Sequence, residues 1–171
     1  TIVHYESVPY PQEDSLIVIT KKNEKGKSSV FLDKSAINIE NARAYEFAKK
    51  VTKRKKIIQE KLRKFKKAGG TIAVFGAGHL SVAFIATMEI SEMIDFVIDD
   101  NPNKKGMIMP IGGIKILGSE SLYSREVDLC LLGLNPINQP KVVAKHISFE
   151  KNGGLFSSIF PGTELSIEKL I

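Results

Sequence analysis

The sequence has 171 residues, of which 43% are hydrophobic and 26% charged, and its formal net charge is +6. This size and composition are typical of one soluble domain with a small addition. No apolar run approaches the roughly 20 residues that cross a bilayer, and the first residues lack the regions of a signal peptide. With one cysteine, Cys130, and therefore no internal disulfide, the expected location is the cytoplasm and no membrane partner is expected.

The positive charge is concentrated in one segment. Residues 49–67 contain eleven of the 25 Lys and Arg residues and a single acid, Glu60, so the remainder of the chain has a net charge of −4. No nucleic-acid-binding motif and no interleaved aromatic residues accompany the lysines. We therefore expect a solvated helix face, with a phosphate-bearing partner as the alternative, and no binding of nucleic acid.

Residues 1–37 are predicted to form an N-terminal arm and a β-hairpin. Two strand-like runs, SLIVIT at residues 15–20 and SSVFLD at residues 28–33, flank a charged turn that contains Gly26. The prolines at positions 9 and 11 favour an extended arm before the first run.

A long basic helix is predicted over residues 38–70, where it connects the hairpin to the rest of the chain. Asn38 or Asn41 is its expected N-terminal cap. The glycines at positions 69 and 70 are suited to end it. Its apolar residues recur at helical spacing and define one face, which contains Phe47, Val51, Ile58, Leu62 and Phe65.

Residues 71–171 alternate between strand-like and helix-like segments. Apolar runs at residues 71–75, 94–98, 114–117, 128–132 and 155–160 are separated by helix-like or turn-like segments. This alternation predicts an α/β fold, a Rossmann-like parallel sheet of about five strands with helices on both faces. Right-handed crossovers then predict the strand order 3-2-1-4-5.

A glycine turn, Gly76-Ala77-Gly78, follows the first of these runs directly and precedes a helix-like segment. In dinucleotide-binding folds the first glycine permits a tight turn and the second lets the backbone approach a pyrophosphate. The third glycine of that G-x-G-x-x-G fingerprint is replaced by Ser81 in this sequence. His79, at the helix start, is a further candidate phosphate contact. We predict nucleotide or phosphate binding at this turn, with a merely structural turn as the alternative.

An acidic and polar segment follows the second apolar run. Asp99 lies 21 residues after Gly78, where a carboxylate contacts a ribose in dinucleotide-binding folds, although an Asx-rich turn also fits. All of these loops follow predicted strands, and open α/β sheets bind ligands at the carboxyl ends of their strands. The other predicted substrate-binding residues of these loops are Asn101, Lys104, Lys105 and Asn135.

No acid–base, nucleophile or metal-ligand pattern is present in the sequence. It lacks G-x-S-x-G, a Walker A lysine and H-E-x-x-H, and His4 and His146 have no companions at metal-ligand spacing. We therefore predict no catalytic residue and no metal site in this chain. It would bind a ligand for another domain that carries the chemistry.

Four segments in order resemble the C-terminal domain of sugar C-methyltransferases, S-adenosylmethionine-dependent enzymes that act on nucleotide-linked deoxysugars. The segments are GTIAVFGAG, MIDFVIDDNPNKKGMIMPIGGIKI, VDLCLLGLNP and GGLFSSIFP. The most specific is the D-x-N/S-P-x-K-x-G pattern that begins at Asp99. The resemblance spans about residues 45–161. The family often has Lys-Gly at Leu80-Ser81 and Trp-Asn at Leu134-Asn135, so only the asparagine of the second pair is retained.

The resemblance implies a zinc-binding domain first, an S-adenosylmethionine-binding domain second, and this Rossmann-like domain last. The last domain helps to hold the nucleotide-sugar, and the residues for methyl transfer belong to the middle domain. It follows that this chain positions substrate and binds no cofactor of its own, while S-adenosylmethionine is expected for the full-length protein. The expected partners are a nucleotide-linked sugar, the upstream methyltransferase domain of the same polypeptide, and a second copy in a homodimer.

Two other functions remain open on sequence grounds. One is an NAD(P)-binding oxidoreductase or sensor domain, which the glycine turn and Asp99 would equally suit. The other is a non-catalytic protein-interaction module that would use the hairpin and the basic helix.

Overall fold

The computed structural model describes residues 1–9, 14–22 and 33–170. The chain divides into two compact units, residues 1–47 and 48–171. Within the described residues, no helix combines the length and the apolar character that crossing a bilayer requires. The elements in chain order are β1 (Ile2–Val8), β2 (Ser15–Thr20), α1 (Lys34–Lys67), β3 (Ile72–Phe75), α2 (His79–Met88), β4 (Phe96–Ile98), β5 (Ile116–Leu117), α3 (Ser121–Ser124), β6 (Leu129–Leu132), α4 (Gln139–Lys145), α5 (Ile147–Lys151), β7 (Leu155–Ser158) and α6 (Ile167–Leu170).

The first unit contains an antiparallel hairpin of β1 and β2. The strand at 15–20 is confirmed, and its partner among the described residues is β1, a strand that the sequence analysis did not predict. The predicted pairing with residues 28–33 stays a prediction. Residues 28–32 lie outside the described part of the chain, and Asp33 belongs to a helix cap. The sequence of β1, IVHYESV, is rich in β-branched and aromatic residues, and Pro9 follows the strand, where its missing N–H removes no ladder bond.

The helix α1 begins four residues before the predicted start because Asp33, rather than Asn38 or Asn41, caps it. The Oδ1 atom of Asp33 accepts hydrogen bonds from the backbone N–H groups of Ser35 (2.9 Å) and Ala36 (3.3 Å). These are two of the four N–H groups that a helix leaves without internal partners.

The end of α1 and most of its apolar face agree with the sequence pattern. Gly69 follows the last turn with a φ of +89°, the left-handed conformation that ends many helices. Ile58 and Leu62 are completely buried. Phe47 is the exception, since its side chain is 69% exposed.

The second unit is built on five parallel strands in the order β5-β4-β3-β6-β7, which confirms the predicted Rossmann-like α/β fold and its strand order. Alternate residues of each strand point to opposite faces. Val74 therefore belongs to an apolar cluster with α1 and α2, whereas Phe75 belongs to a cluster with α3, α4 and α5. Since all five strands are parallel, the loops that follow β3, β4 and β6 lie at one edge of the sheet.

Cys130 lies in β6 and is completely buried, and this burial raises the pKa of its thiol far above the ordinary value. The thiolate is the reactive form of cysteine. We therefore expect a disulfide-exchange reagent such as DTNB to label no cysteine in the native protein and one after unfolding in guanidinium. Labelling of the native protein at the rate of an exposed thiol would contradict the buried position.

Candidate functional site

The glycine turn joins β3 to α2 at the carboxyl edge of the sheet. Gly76 has a φ of +105°, and a methyl group there would lie 2.6 Å from Cδ2 of Leu134 and 3.1 Å from the carbonyl oxygen of Gly133. Its N–H donates to the carbonyl of Ile98 at 2.7 Å, which holds the turn against the end of β4. Both the backbone conformation and the close approach therefore require glycine at position 76.

Gly78 is the N-cap of α2 and is not required by the fold in this way. Its φ of −121° and ψ of −178° are extended angles that any residue adopts, and a methyl group there would meet no atom within 4 Å. The first turn of α2 contains no acidic residue, and the cap supplies no side-chain hydrogen bond. The N-terminus of α2 thus has no side-chain cap for its first N–H groups and open space at the Cβ position of Gly78, and helix N-termini of this kind bind anions.

Asp99 and Lys104, from the loop after β4, clamp the glycine turn. Asp99 Oδ2 accepts hydrogen bonds from the N–H of Ala77 at 2.8 Å and from Nζ of Lys104 at 3.0 Å. Nζ of Lys104 also donates to the carbonyl oxygen of Ala77 at 2.9 Å. The other carboxylate oxygen, Oδ1, accepts from the N–H of Asn101 at 2.9 Å. The carboxylate and the ammonium group together fix the N–H and the carbonyl of Ala77.

The pKa of Asp99 is lower than its ordinary value of 3.8. Burial acts to raise this pKa, but hydrogen bonds from Asn101, Lys104 and Ala77 and the charge of Lys104 outweigh it. A carboxyl group whose pKa is lower in the folded than in the unfolded state stabilises the fold at pH values above its pKa in the unfolded state. This contribution is lost as the pH falls through the folded pKa.

Asp99→Asn is therefore expected to lower the free energy of unfolding by about 1.5–3 kcal/mol at pH 7, the range for a hydrogen bond to a charged group. The difference from wild type should shrink as the pH falls below about 4, where the carboxyl of the unfolded wild-type chain begins to be protonated, and should continue to shrink until the folded-state carboxyl is protonated as well. Urea unfolding of both proteins at pH 7 and pH 3 measures this. An equal difference at both pH values would show that the charge of Asp99 does not stabilise the turn.

The remaining predicted site residues differ in their distance from this clamp. His79 is the exposed first residue of α2. Lys105 forms an ion pair with Glu120, which follows β5, and so its ammonium group is engaged away from the turn. Oδ1 of Asn135 accepts from the N–H of Ile137 at 3.0 Å, which leaves the two amide N–H groups of Asn135 for a ligand. Contact of these three residues with a ligand stays a prediction.

Ser81 and Gly133 connect the glycine turn to the loop after β6, a contact that sequence reasoning missed. Ser81 is fully buried, and its Oγ donates to the carbonyl of Gly76 at 2.5 Å and to that of Gly133 at 3.4 Å. A methyl group at Gly133 would lie 1.8 Å from this Oγ. The sequence shows a small residue at the third position of the fingerprint and a glycine directly after β6. It does not show that these two residues are in contact.

Charged side chains from several loops lie at the carboxyl edge of the sheet. Three ion pairs surround it, and among the residues that the structure describes no three His, Cys, Asp or Glu side chains group as a metal site would require. The lysines of these ion pairs hold the loops in place. The N–H groups at the start of α2 form the positive end of the helix dipole, and no acidic residue in the first turn compensates it. The ion pairs are Lys104 with Asp99, Lys145 with Asp100, and Lys105 with Glu120.

Comparison with protein families identifies one match. A family model described as the C-methyltransferase C-terminal domain matches residues 15–161. No curated protein has a significant match to the sequence.

Several solved structures are similar to part of this chain. UDP-D-quinovosamine 4-dehydrogenase from Vibrio fischeri is 20% identical with a TM-score of 0.42, over 53% of this chain and 78% of that chain. RSP, a Rex-family repressor, is 15% identical with a TM-score of 0.43, over 60% of this chain and 55% of that chain. RSP in complex with β-NADH is 16% identical with a TM-score of 0.41. Similarities this distant say nothing about the ligand of this chain.

Proposed function

Since this chain belongs to the C-methyltransferase C-terminal domain family, we propose that it binds a nucleotide-linked sugar and positions it for an upstream methyltransferase domain. The observation that carries the proposal is the glycine turn in front of α2. The first N–H groups of α2 have no side-chain cap, the Cβ position of Gly78 is open, and the clamp of Asp99 and Lys104 fixes the turn that precedes them. A sugar diphosphate is an anion that this arrangement suits.

The mechanism we propose is positional. The diphosphate is held at the N-terminus of α2, and the amide of Asn135, on the adjacent loop, contacts the polar groups beyond it. Holding two reactants in a productive geometry lowers a barrier by converting a bimolecular step into a unimolecular one. The deprotonation and methylation of a sugar carbon belong to the upstream domain, where S-adenosylmethionine supplies the methyl group. A cytoplasmic location is part of the same proposal.

Binding of NAD(P) is the second candidate, because Asp99 follows β4 where a ribose contact is expected. The carboxylate of Asp99 already accepts three hydrogen bonds, from Ala77, Lys104 and Asn101. An ionised carboxylate offers about four acceptor positions, so little capacity is left for a ribose diol. This occupancy favours the nucleotide-sugar over the dinucleotide.

Thermal unfolding with a ligand panel tests the proposal. The panel consists of dTDP-, UDP-, GDP- and CDP-sugars, NAD(H), NADP(H) and S-adenosylmethionine. A ligand at 100 times its Kd adds about 2.7 kcal/mol to the free energy of unfolding, which raises Tm by several degrees in a domain of this size. We expect a rise with one class of nucleotide-sugar. A rise with NAD(H) alone, or with none of the ligands, would contradict the proposal.

A further inference from the structure

The outward face of α1 in the second unit is strongly basic. Its residues recur at spacings of three and four, which places them on the side of the helix opposite the buried Ile58 and Leu62, and all of them are exposed. Five cations and one acid give this face a net charge of +4 over about 21 Å of helix. We call it the Lys53 face, and its members are Lys53, Lys56, Glu60, Arg63, Lys64 and Lys67.

Within the described residues, the Lys53 face forms no ion pair with the sheet or with another helix. The ion pair of Lys64 with Glu60, at 2.9 Å, lies within the face itself. The cations of α1 that do pair with other elements lie on the flanks of the helix, beside its buried side. These pairs are Arg54 with Glu168, Lys55 with Glu89, and Lys66 with Asp95. The charge of the Lys53 face is therefore not used to hold α1 on the sheet.

Helix formation does not explain the charge of this face either. Like charges three or four residues apart destabilise a helix, and Lys53 with Lys56 and Arg63 with Lys67 are such pairs. The helix dipole favours cations in the last turn, which contains Lys64 and Lys67, but it does not favour Lys53 and Lys56 earlier in the helix. Solubility is improved more by Asp and Glu than by Lys. A charge pattern that breaks a local rule without a structural gain indicates a function.

The composition of the Lys53 face distinguishes between large anionic partners. Protein interfaces have aromatic anchors and few lysines at their centre, whereas this face has four lysines and no apolar residue. Single-stranded nucleic acid is bound on aromatic side chains, and base pairs are read mainly by the arginine fork. The face has no aromatic residue, and Arg63 is its single arginine. Lysines along the outer side of a helix suit a plane of anionic lipid head groups, which offers charge without specific geometry.

We propose that the Lys53 face adsorbs to the surface of an anionic phospholipid bilayer. Clusters of roughly four to eight Lys or Arg residues on one side of a helix bind such surfaces by electrostatic attraction. Ile58 and Leu62 are buried on the opposite side of α1, so the helix lies on the head groups without inserting. The expectation of no membrane partner was based on the lack of a spanning segment, which adsorption does not require. The proposal is independent of the ligand of the glycine turn.

Flotation with lipid vesicles tests the proposal. The 171-residue protein is mixed with vesicles of phosphatidylcholine alone, or of phosphatidylcholine and phosphatidylglycerol in equal parts. We expect binding to the second kind only. This binding should be lost as the salt concentration rises from about 0.1 M to about 1 M, because the Debye length then falls from about 10 Å to about 3 Å.

A pair of substitutions locates the binding surface. Lys53→Gln together with Lys56→Gln should weaken binding roughly 25-fold, or about fivefold for each charge removed. Lys141→Gln together with Lys151→Gln is the matched control. It removes the same charge from exposed lysines of α4 and α5, which pack on the face of the sheet opposite α1. The control should change binding by less than about twofold, because these lysines lie too far from the bilayer.

Three results would overturn the proposal. Absence of binding to the anionic vesicles at low salt would show that the Lys53 face is only solvated. Equal binding to neutral vesicles, or equal losses in the two double variants, would show that the charge of this face does not attract the bilayer. Binding of duplex DNA that depends on Lys53 and Lys56, and that persists at salt concentrations where the vesicles no longer bind, would identify a nucleic acid as the partner.

Discussion

Gly78→Asp is expected to stabilise the fold and to remove nucleotide-sugar binding. Gly78 has the extended backbone of an N-cap, with open space around a new Cβ. Aspartate is among the best N-cap residues, and its charge complements the helix dipole, so the free energy of unfolding should rise by about 0.5–1 kcal/mol. The same carboxylate takes the N–H groups that the phosphate needs and repels its charge.

Gly78→Asn is the matched control for this prediction. Asparagine caps a helix as well as aspartate but carries no charge. Two unit charges about 4 Å apart interact by up to about 4 kcal/mol near a protein surface. We expect the Asp variant to bind at least about 2 kcal/mol more weakly than the Asn variant, or roughly thirtyfold. Isothermal titration and urea unfolding at pH 7 measure both quantities. Wild-type affinity in the Asp variant would place the phosphate elsewhere.

Gly133→Ala is expected to lower the free energy of unfolding by about 2–4 kcal/mol, through overpacking and loss of a buried hydrogen bond. The new methyl group would lie 1.8 Å from Oγ of Ser81 and 3.3 Å from the carbonyl oxygen of Phe75. Ser81 is completely buried and bonded to Gly76, so its hydroxyl has to leave that bond to make room. Urea unfolding measures the loss.

A second substitution shows whether this collision is the cause. Ser81→Gly removes the atom that Gly133→Ala meets, so the double variant should recover at least about 1 kcal/mol relative to the sum of the two single losses. Gly78→Ala is the control, because its methyl group meets no atom within 4 Å. It should change stability by less than about 1 kcal/mol. Strict additivity of the two losses would mean that Ser81 and Gly133 do not constrain each other.

Strand order was predictable in the second unit because each strand is a short apolar run separated from the next by a helix or turn, and crossover handedness leaves few topologies. The pairing of β2 with β1 in the first unit was not predicted. These two strands flank a segment with two prolines, which carries a weaker local signal than the charged turn that follows β2.

In the candidate site, too, features that depend on spacing in the sequence were predictable, and contacts between distant loops were not. The position of Asp99 follows from its spacing after the glycine turn. That Lys104 binds both Asp99 and Ala77 depends on how one loop folds over another, which spacing does not specify. The contact of Ser81 with Gly133 joins residues 52 positions apart and becomes visible only when β3 and β6 are neighbours.

In the proposed function, the N-terminus of α2 holds the diphosphate of a nucleotide-sugar. Amide chemical shifts recorded during titration of the labelled protein with the best ligand of the panel test it most directly. The largest changes are predicted at Ala77, Gly78, His79 and Leu80, with smaller ones in the loop that contains Asp99 and Lys104. Saturable changes that leave residues 77–80 unmoved, or no changes at all, would contradict the claim.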